Sequence, residues 1–171
     1  SRVDLENATL PAVYDAVCDT KLGTTLSNSD GASLGTVEHL MAALWGCEID
    51  NLFIDINGPE VPVMDGSAAP FVLLIDSAGT LEQNAARTAI KILKTVTVGD
   101  ETRSLTISPS DEFSLDFEID FDSSAIDCQE RGFAHIGDNF KSDISRARTF
   151  GFEKEVEAMR DAGLALGGSL D

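Results

Sequence analysis

Phe113-Ser114-Leu115-Asp116-Phe117-Glu118-Ile119-Asp120-Phe121 is the stretch that decides the fold class. Apolar side chains at 113, 115, 117, 119 and 121 alternate with polar or acidic ones, the period of a strand with one face on a core and the other in water. One-sided strands of this kind belong to antiparallel sheets. Toward the N-terminus, Ile90 to Val98 and Ser104 to Ser108 read as strands joined by a turn at Gly99-Asp100-Glu101. Toward the C-terminus, Phe133 to Ile136 is a weaker strand. Helical segments follow at 140–145 and 152–162, the latter stopped by Gly163.

Before residue 81 the pattern differs. Thr24 to Leu34 is turn-rich and reads as a hairpin or loop. Thr36 is placed to cap a helix whose apolar face is Val37, Leu40, Met41 and Leu44, ended by Gly46. Asn51 to Ile56 alternates like a strand, and Gly58-Pro59-Glu60-Val61-Pro62 makes a rigid turn. Ser67 caps a second helix, with Pro70 in its first turn and a stripe of Phe71, Leu74, Ile75 and Ala78 that stops at Gly79. Residues 81–87 are rich in acids and amides and lack a period, so a domain boundary is expected there. The expectation is an α+β protein of two units, 1–84 and 85–171, each a sheet with helices on one face.

The 171 residues carry 30 acidic and 12 basic side chains, a net charge of -18, with no basic run. That excludes the counterion-displacing footprint of a nucleic-acid binder and disfavours anionic membranes. No segment has the length and apolarity of a membrane span or a signal peptide. Cys18, Cys47 and Cys128 are odd in number, widely spaced and without a CxxC pair. They point to a reducing compartment, and the protein is expected in the cytoplasm. The chain opens on Ser1 and closes on an apolar, glycine-rich end, and is expected to be a piece of a longer protein.

Three stretches carry candidate chemistry. Glu38 and His39 sit in the first turn of the first helix, at the edge of its apolar face. The helix dipole favours a carboxylate there and a neutral imidazole, the form that binds metal. Such a pair is also an ordinary solvated helix start, and a zinc site needs about three protein ligands. No HxxxH or HExxH spacing supplies them. Asp65-Gly66-Ser67 reads as a turn and a cap. Ser145-Arg146-Ala147-Arg148-Thr149-Phe150-Gly151-Phe152 reads as a loop, yet one that displays aromatics beside a hydroxyl able to polarise a carbonyl or hold an anion.

Taken together, Thr36-Val37-Glu38-His39-Leu40, the run from Pro59 to Phe71, Phe113 to Phe117, Ser145 to Phe152, and Leu166-Gly167-Gly168-Ser169 closely resemble the signature segments of the UDP-3-O-acyl-N-acetylglucosamine deacetylase family. They occur in the family's order and at close to its spacing, over nearly all of the chain. The resemblance implies two similar two-layer sandwich domains (like ribosomal protein S5 domain 2), with an active site between them. It implies removal of the acetyl group from the glucosamine nitrogen of a UDP-sugar bearing an acyl chain, the committed step of lipid A synthesis, in which zinc activates water.

By the same resemblance His39 matches a zinc ligand and Glu38 the general base. Thr149 matches the hydroxyl that stabilises the oxyanion, and Phe150 a wall of the sugar site. Asp65 matches an acidic residue near the site, and Val156 loosely matches the helix lining the acyl passage. The family's His-Lys-x-x-Asp segment, with the remaining zinc ligands, and its later histidine have no counterpart. His135 matches no family site and is expected to be structural or solvated. The family's opening strands are likewise without counterpart before Ser1. The parent is thus expected to be a monomeric zinc amidohydrolase, and this piece to hold zinc weakly and be inactive. The rivals are a non-catalytic binding protein that kept the fold, or a zinc hydrolase of unrelated substrate.

Overall fold

The computed structural model describes residues 1–6 and 8–161, without the side chains of Asp138, Lys154, Ala158 and Met159. Gly163 and the Leu166–Ser169 segment named above lie outside the described residues. Helices and small antiparallel sheets make an α+β chain. Its contacts divide it into two units, Ser1–Leu81 together with the residues from Phe140 onward, and Glu82–Asn139. The aperiodic stretch 81–87 spans the first division.

In the first unit, a 3-10 turn at Tyr14–Ala16 leads into β1 (Val17–Asp19), which pairs with β2 (Thr25–Ser27), itself paired with β3 (Ser33–Leu34). The β2–β3 turn is closed by Asn28, whose Oδ1 accepts from the amides of Asp30 at 3.1 Å and Ala32 at 2.9 Å. Gly31 there takes φ +84°, a conformation open to glycine at no steric cost. Leu26 and Leu34 face each other across the pair, and both are buried.

α1 (Glu38–Gly46) and α2 (Ala69–Ala78) pack on each other. With Leu26 and Leu34, the side chains of Val37, Leu40, Ala43, Val61, Phe71 and Val72 form the core of this unit. α2 ends as expected, with Gly79 at φ +76° and its amide bonded to the Ile75 carbonyl at 2.9 Å. Its buried face is not the expected stripe. Phe71 and Val72 are buried, whereas Leu74 is 60 % exposed. The helix is apolar nearly all round, so periodicity alone does not choose among adjacent stripes.

Asn51 to Ile56 forms no strand ladder of its own. It runs parallel to the first residues, with Ile56 N–H bonded to the Ser1 carbonyl and Val3 N–H to the Ile56 carbonyl, both at 2.9 Å. The segment after Asn139 joins this unit through Phe140, which opens a single π-helical turn, Phe140–Ile144. Phe140 is buried, stands edge-on to Trp45 at 6.1 Å, and covers Gly46 so closely that a Cβ there would lie 1.9 Å from its ring. Lys141 beside it bonds Asp76 of α2 at 2.5 Å.

In the second unit, β4 (Val96–Gly99) and β5 (Ser104–Ile107) form one hairpin, and β6 (Leu115–Phe121) and β7 (Asp127–Phe133) another. The strand expected from Ile90 begins only at Val96, and Ile90 is 85 % exposed. The alternating stretch forms β6, but from Leu115 rather than Phe113. Its expected core face is not buried: Leu115, Ile119 and Phe121 are half-buried, and Phe113 and Phe117 are exposed. A two-stranded hairpin offers that face little to pack on. The partner strand β7 ends where a strand was expected to start, with Phe133 opposite Leu115. Phe117 and Phe133 meet edge-on at 6.5 Å, and Arg131 lies over the Phe133 ring at 5.4 Å. α3 (Ile136–Asn139) places Ile136 in the interior.

The β4–β5 turn gives a pH prediction. Asp100 Oδ1 accepts from the Thr102 hydroxyl at 2.7 Å, the Thr102 amide at 2.8 Å and the Arg103 amide at 3.0 Å. The Thr102 hydroxyl and these amides hold its carboxyl down to about 2, against 3.8 for the free side chain. A folded-state value below the unfolded one means that the turn gains stability from this group above about pH 4 and loses it as pH falls through about 2. A carboxyl carbon NMR titration should give Asp100 a midpoint near 2. A midpoint near 3.8 would mean that the three hydrogen bonds do not persist in solution.

Candidate active site

The candidate residues of the first helix depend on how the chain enters α1. Gly35 is strapped to the Pro59–Val61 turn, its amide bonded to the Pro59 carbonyl at 2.9 Å and its carbonyl to Val61 N–H at 3.0 Å. Thr36 does not cap the helix. Its backbone is left-handed, φ +56°, and its hydroxyl donates to Glu60 Oε1 at 2.5 Å. The N-cap is Val37, with no side-chain cap bond, and its amide reaches back to the Thr24 carbonyl at 3.3 Å. A β-branched residue in the left-handed region is an outlier that persists only where its surroundings hold it. Here the strap, the Glu60 bond and the Thr24 contact do so.

That entry aims the first helical side chain at the turn before β2. Glu38 Oε2 accepts the Thr24 amide at 3.0 Å. A Cβ on Gly23 would sit 3.1 Å from Glu38 Oε1, so glycine leaves room for the carboxylate. Glu38 and His39 are both half-buried. The result is a carboxylate fixed by a backbone donor with an imidazole next to it.

The second group is built around Asp65. Met64 at φ +55° and Gly66 at φ +83° bend the chain into a tight turn closed by Gly66 N–H to the Val63 carbonyl at 2.9 Å. Asp65 Oδ1 accepts from both the amide (3.0 Å) and the hydroxyl (2.8 Å) of the fully buried Ser67. Ser67 is not the N-cap as expected; Ala68 holds that position without a side-chain cap bond, and Ser67 Oγ, one residue earlier, accepts from the Ala69 amide at 3.2 Å. The Ser67 hydrogen bonds, helped by the Arg148 guanidinium, hold the Asp65 carboxyl below the usual carboxylate range.

The third group docks on the second. Arg148 Nε donates to the Asp65 carbonyl and Thr149 N–H to the Gly66 carbonyl, each at 2.8 Å. Phe150 is 56 % exposed and stands edge-on to Phe152 at 6.4 Å. α4 (Glu153–Asp161) follows, and its half-buried Val156 leaves only 3.2 Å for a Cβ on Gly151.

The structure thus joins Asp65 to Thr149 and sets Phe150, Phe152 and Val156 beside them. Among the described residues, no hydrogen bond joins Glu38 or His39 to Thr149 or Asp65. Arg148, Thr24 and Glu60 are the participants to which the sequence reading gave no role of their own, and Ser67, read there as a helix cap, proves to be Asp65's partner. The signal of Arg148, Thr24 and Glu60 is tertiary, since each has its partner distant in sequence. His135 lies in the other unit at φ +51°, exposed, with Nδ1 3.1 Å from Glu112 Oε2.

Among the described residues no three His, Cys, Asp or Glu side chains gather where a metal ion could be held. One imidazole beside one carboxylate does not make a zinc site, which needs about three protein ligands.

The whole chain, residues 1–171, matches the family described as LpxC, UDP-3-O-acyl N-acetylglycosamine deacetylase. A UDP-3-O-acyl-N-acetylglucosamine deacetylase of Syntrophotalea carbinolica is 50% identical over 162 residues, 95% of this chain and 52% of that protein. Those of Citrifermentans bemidjiense and Myxococcus xanthus are 48% and 47% identical over 171 residues, 99% of this chain and 56% and 54% of theirs. The chain spans about half the length of the curated relatives it matches. With every one of its residues inside the match, this chain belongs to the UDP-3-O-acyl N-acetylglycosamine deacetylase family.

Proposed function

We propose that the whole protein containing this chain removes the N-acetyl group from UDP-3-O-acyl-N-acetylglucosamine, the committed step of lipid A synthesis. The observation that carries this reading is the family match over the full chain, with Glu38 and His39 opening α1 and Glu38 anchored on the Thr24 amide. Glu38 acts as the general base, taking the proton of the attacking water. A base positioned within hydrogen-bond reach contributes about 10²–10⁴-fold. Thr149 donates its hydroxyl to the developing oxyanion, where one such donor is worth roughly 3 kcal/mol.

Phe150 walls the sugar site, Asp65 fixes the turn beside it, and Val156 borders the acyl passage. Zinc is the cofactor of the whole protein, with His39 as one ligand and the others supplied from elsewhere in it. The fold of the whole is two similar two-layer sandwiches, divided near residue 84. A monomer in the cytoplasm is the expected state, and the free thiols of Cys18, Cys47 and Cys128 agree with a reducing compartment. No helix among the described residues is long and apolar enough to cross a membrane.

The test is an assay of the whole protein on UDP-3-O-acyl-N-acetylglucosamine, read as acetate released, before and after chelation and after zinc is returned. Turnover that is lost with chelator and restored by zinc is expected. Tight binding of the UDP-sugar without acetate release would identify a non-catalytic member that kept the fold. Chelator-insensitive turnover would remove zinc from the reading.

A further inference from the structure

Two consecutive residues, Arg148 and Thr149, reach two consecutive carbonyls, those of Asp65 and Gly66. One contact uses a side-chain donor and the other a backbone donor, both at 2.8 Å. The turn they grip is itself rigid. Asp65 is tied to the buried Ser67 by two hydrogen bonds, and Gly66 holds φ +83°, a conformation that favours glycine, with the Thr149 methyl 3.5 Å from where a Cβ would stand. Thr149 itself is exposed. The direction of its hydroxyl is therefore set by how its backbone is held, and its backbone is held at one point by its own amide. A single hydrogen bond leaves the peptide free to pivot, and a second one at the preceding residue removes that freedom.

We propose that Arg148 is a positioning residue: its Nε–H on the Asp65 carbonyl and the Thr149 N–H on the Gly66 carbonyl form a two-point clamp that fixes how the Thr149 hydroxyl is presented. The inference rests on the reading of Thr149 as the oxyanion donor. The donor is Nε, on the planar part of the guanidinium. Lysine carries the same charge on a flexible stem without that fork, so it does not reproduce the contact. Arg146 carries the same charge two residues earlier and takes no part in the clamp.

The experiment is a double-mutant cycle in the whole protein, with kcat, KM and melting temperature measured for Arg148→Ala, Arg148→Lys, Arg146→Ala, Thr149→Ala and the Arg148→Ala/Thr149→Ala pair. Arg148→Ala is expected to lower kcat on the order of tenfold to a hundredfold, the scale of a small misplacement at a reacting centre, with KM little changed. Arg148→Lys should not restore it, and Arg146→Ala should keep wild-type kcat. In the Thr149→Ala background, adding Arg148→Ala should change kcat by less than about twofold, because the group it positions is already gone.

Added methylguanidine should recover part of the kcat of Arg148→Ala and none of that of the pair. This readout holds even where the alanine variant loses stability. Losses that multiply in the pair would overturn the clamp. So would a raised KM at unchanged kcat, which would make Arg148 a substrate contact, and so would full activity of Arg148→Lys. If Thr149→Ala itself keeps wild-type kcat, the oxyanion reading fails, a result distinct from a failed clamp.

Discussion

Glu38→Gln in the whole protein is expected to lower kcat by about 10²–10⁴-fold while leaving the fold nearly as stable as before. The separation follows from the Thr24 contact. Glu38 has a structural task, accepting a part-buried backbone amide at 3.0 Å, as well as the proposed chemical one. Glutamine keeps a carbonyl oxygen for that amide and loses only the ability to take a proton. Its stability cost should stay below about 1 kcal/mol. Glu38→Ala removes the acceptor as well and leaves the Thr24 N–H without it, a loss of about 1–3 kcal/mol.

Comparing the two variants by kcat and by thermal melting therefore divides scaffold from chemistry. Glutamine should match alanine in activity and wild type in melting temperature. Retention of more than about a tenth of wild-type kcat in Glu38→Gln would move the base to another group.

Gly46→Ala should cost stability by about 2 kcal/mol, with no direct effect on the proposed chemistry. Two effects oppose each other. Alanine in place of glycine favours the helix by up to about 1 kcal/mol. Against that, the new Cβ would fall 1.9, 2.4 and 2.4 Å from three atoms of the buried Phe140 ring. Forcing an added carbon into such a contact costs typically 1–3 kcal/mol, and the upper end applies where a ring must leave its seat. Phe140 cannot move without giving up its edge-on contact with Trp45, and Lys141 beside it is held by Asp76.

Urea denaturation should show a lower midpoint, and melting should come about 4–8 °C earlier. Gly46→Ala combined with Phe140→Leu should recover part of the loss, since a smaller side chain relieves the overlap. An unchanged midpoint in Gly46→Ala would mean that the aromatic seat on α1 yields without cost.

How much of this was legible in the sequence depends on whether the deciding contact is local. The alternation from Phe113 to Phe121 is a local property and it located β6 to within two residues, whereas the buried face it implied depends on a packing partner and did not form. The end of α2 at Gly79 is also local, because a glycine after an apolar run can take the left-handed conformation that closes a helix. Gly46 was read by the same rule as a helix stop. It does end α1, but the reason for a glycine there is the ring of Phe140, which no short-range rule reveals.

Thr36 has the right residue type for a cap, yet Glu60 takes its hydroxyl and the Pro59–Val61 strap turns its backbone. Asn51 to Ile56 has a strand's pattern, but a strand is defined by its partner, and among the described residues its bridge is an isolated one, Arg2 to Ile56. For the candidate site, it is the family-like segments that propose Glu38, His39, Asp65 and Thr149. The Ser67 hydroxyl is a local partner of Asp65, but the Thr24 amide and the Arg148 guanidinium lie where local pattern has no vocabulary for them.

The left-handed Thr36 has a bearing on attempts to make relatives of this chain hardier. A designer scanning for easy thermostability would regularise that spot, giving residue 36 ordinary helical angles and residue 37 a serine or aspartate. Doing so would swing the opening turn of α1 about its axis and carry Glu38 off the Thr24 amide. With Glu38 as the proposed base, ruggedness and turnover are set against each other at this one joint, and a library selected only for heat tolerance is expected to drift toward well-folded, idle proteins.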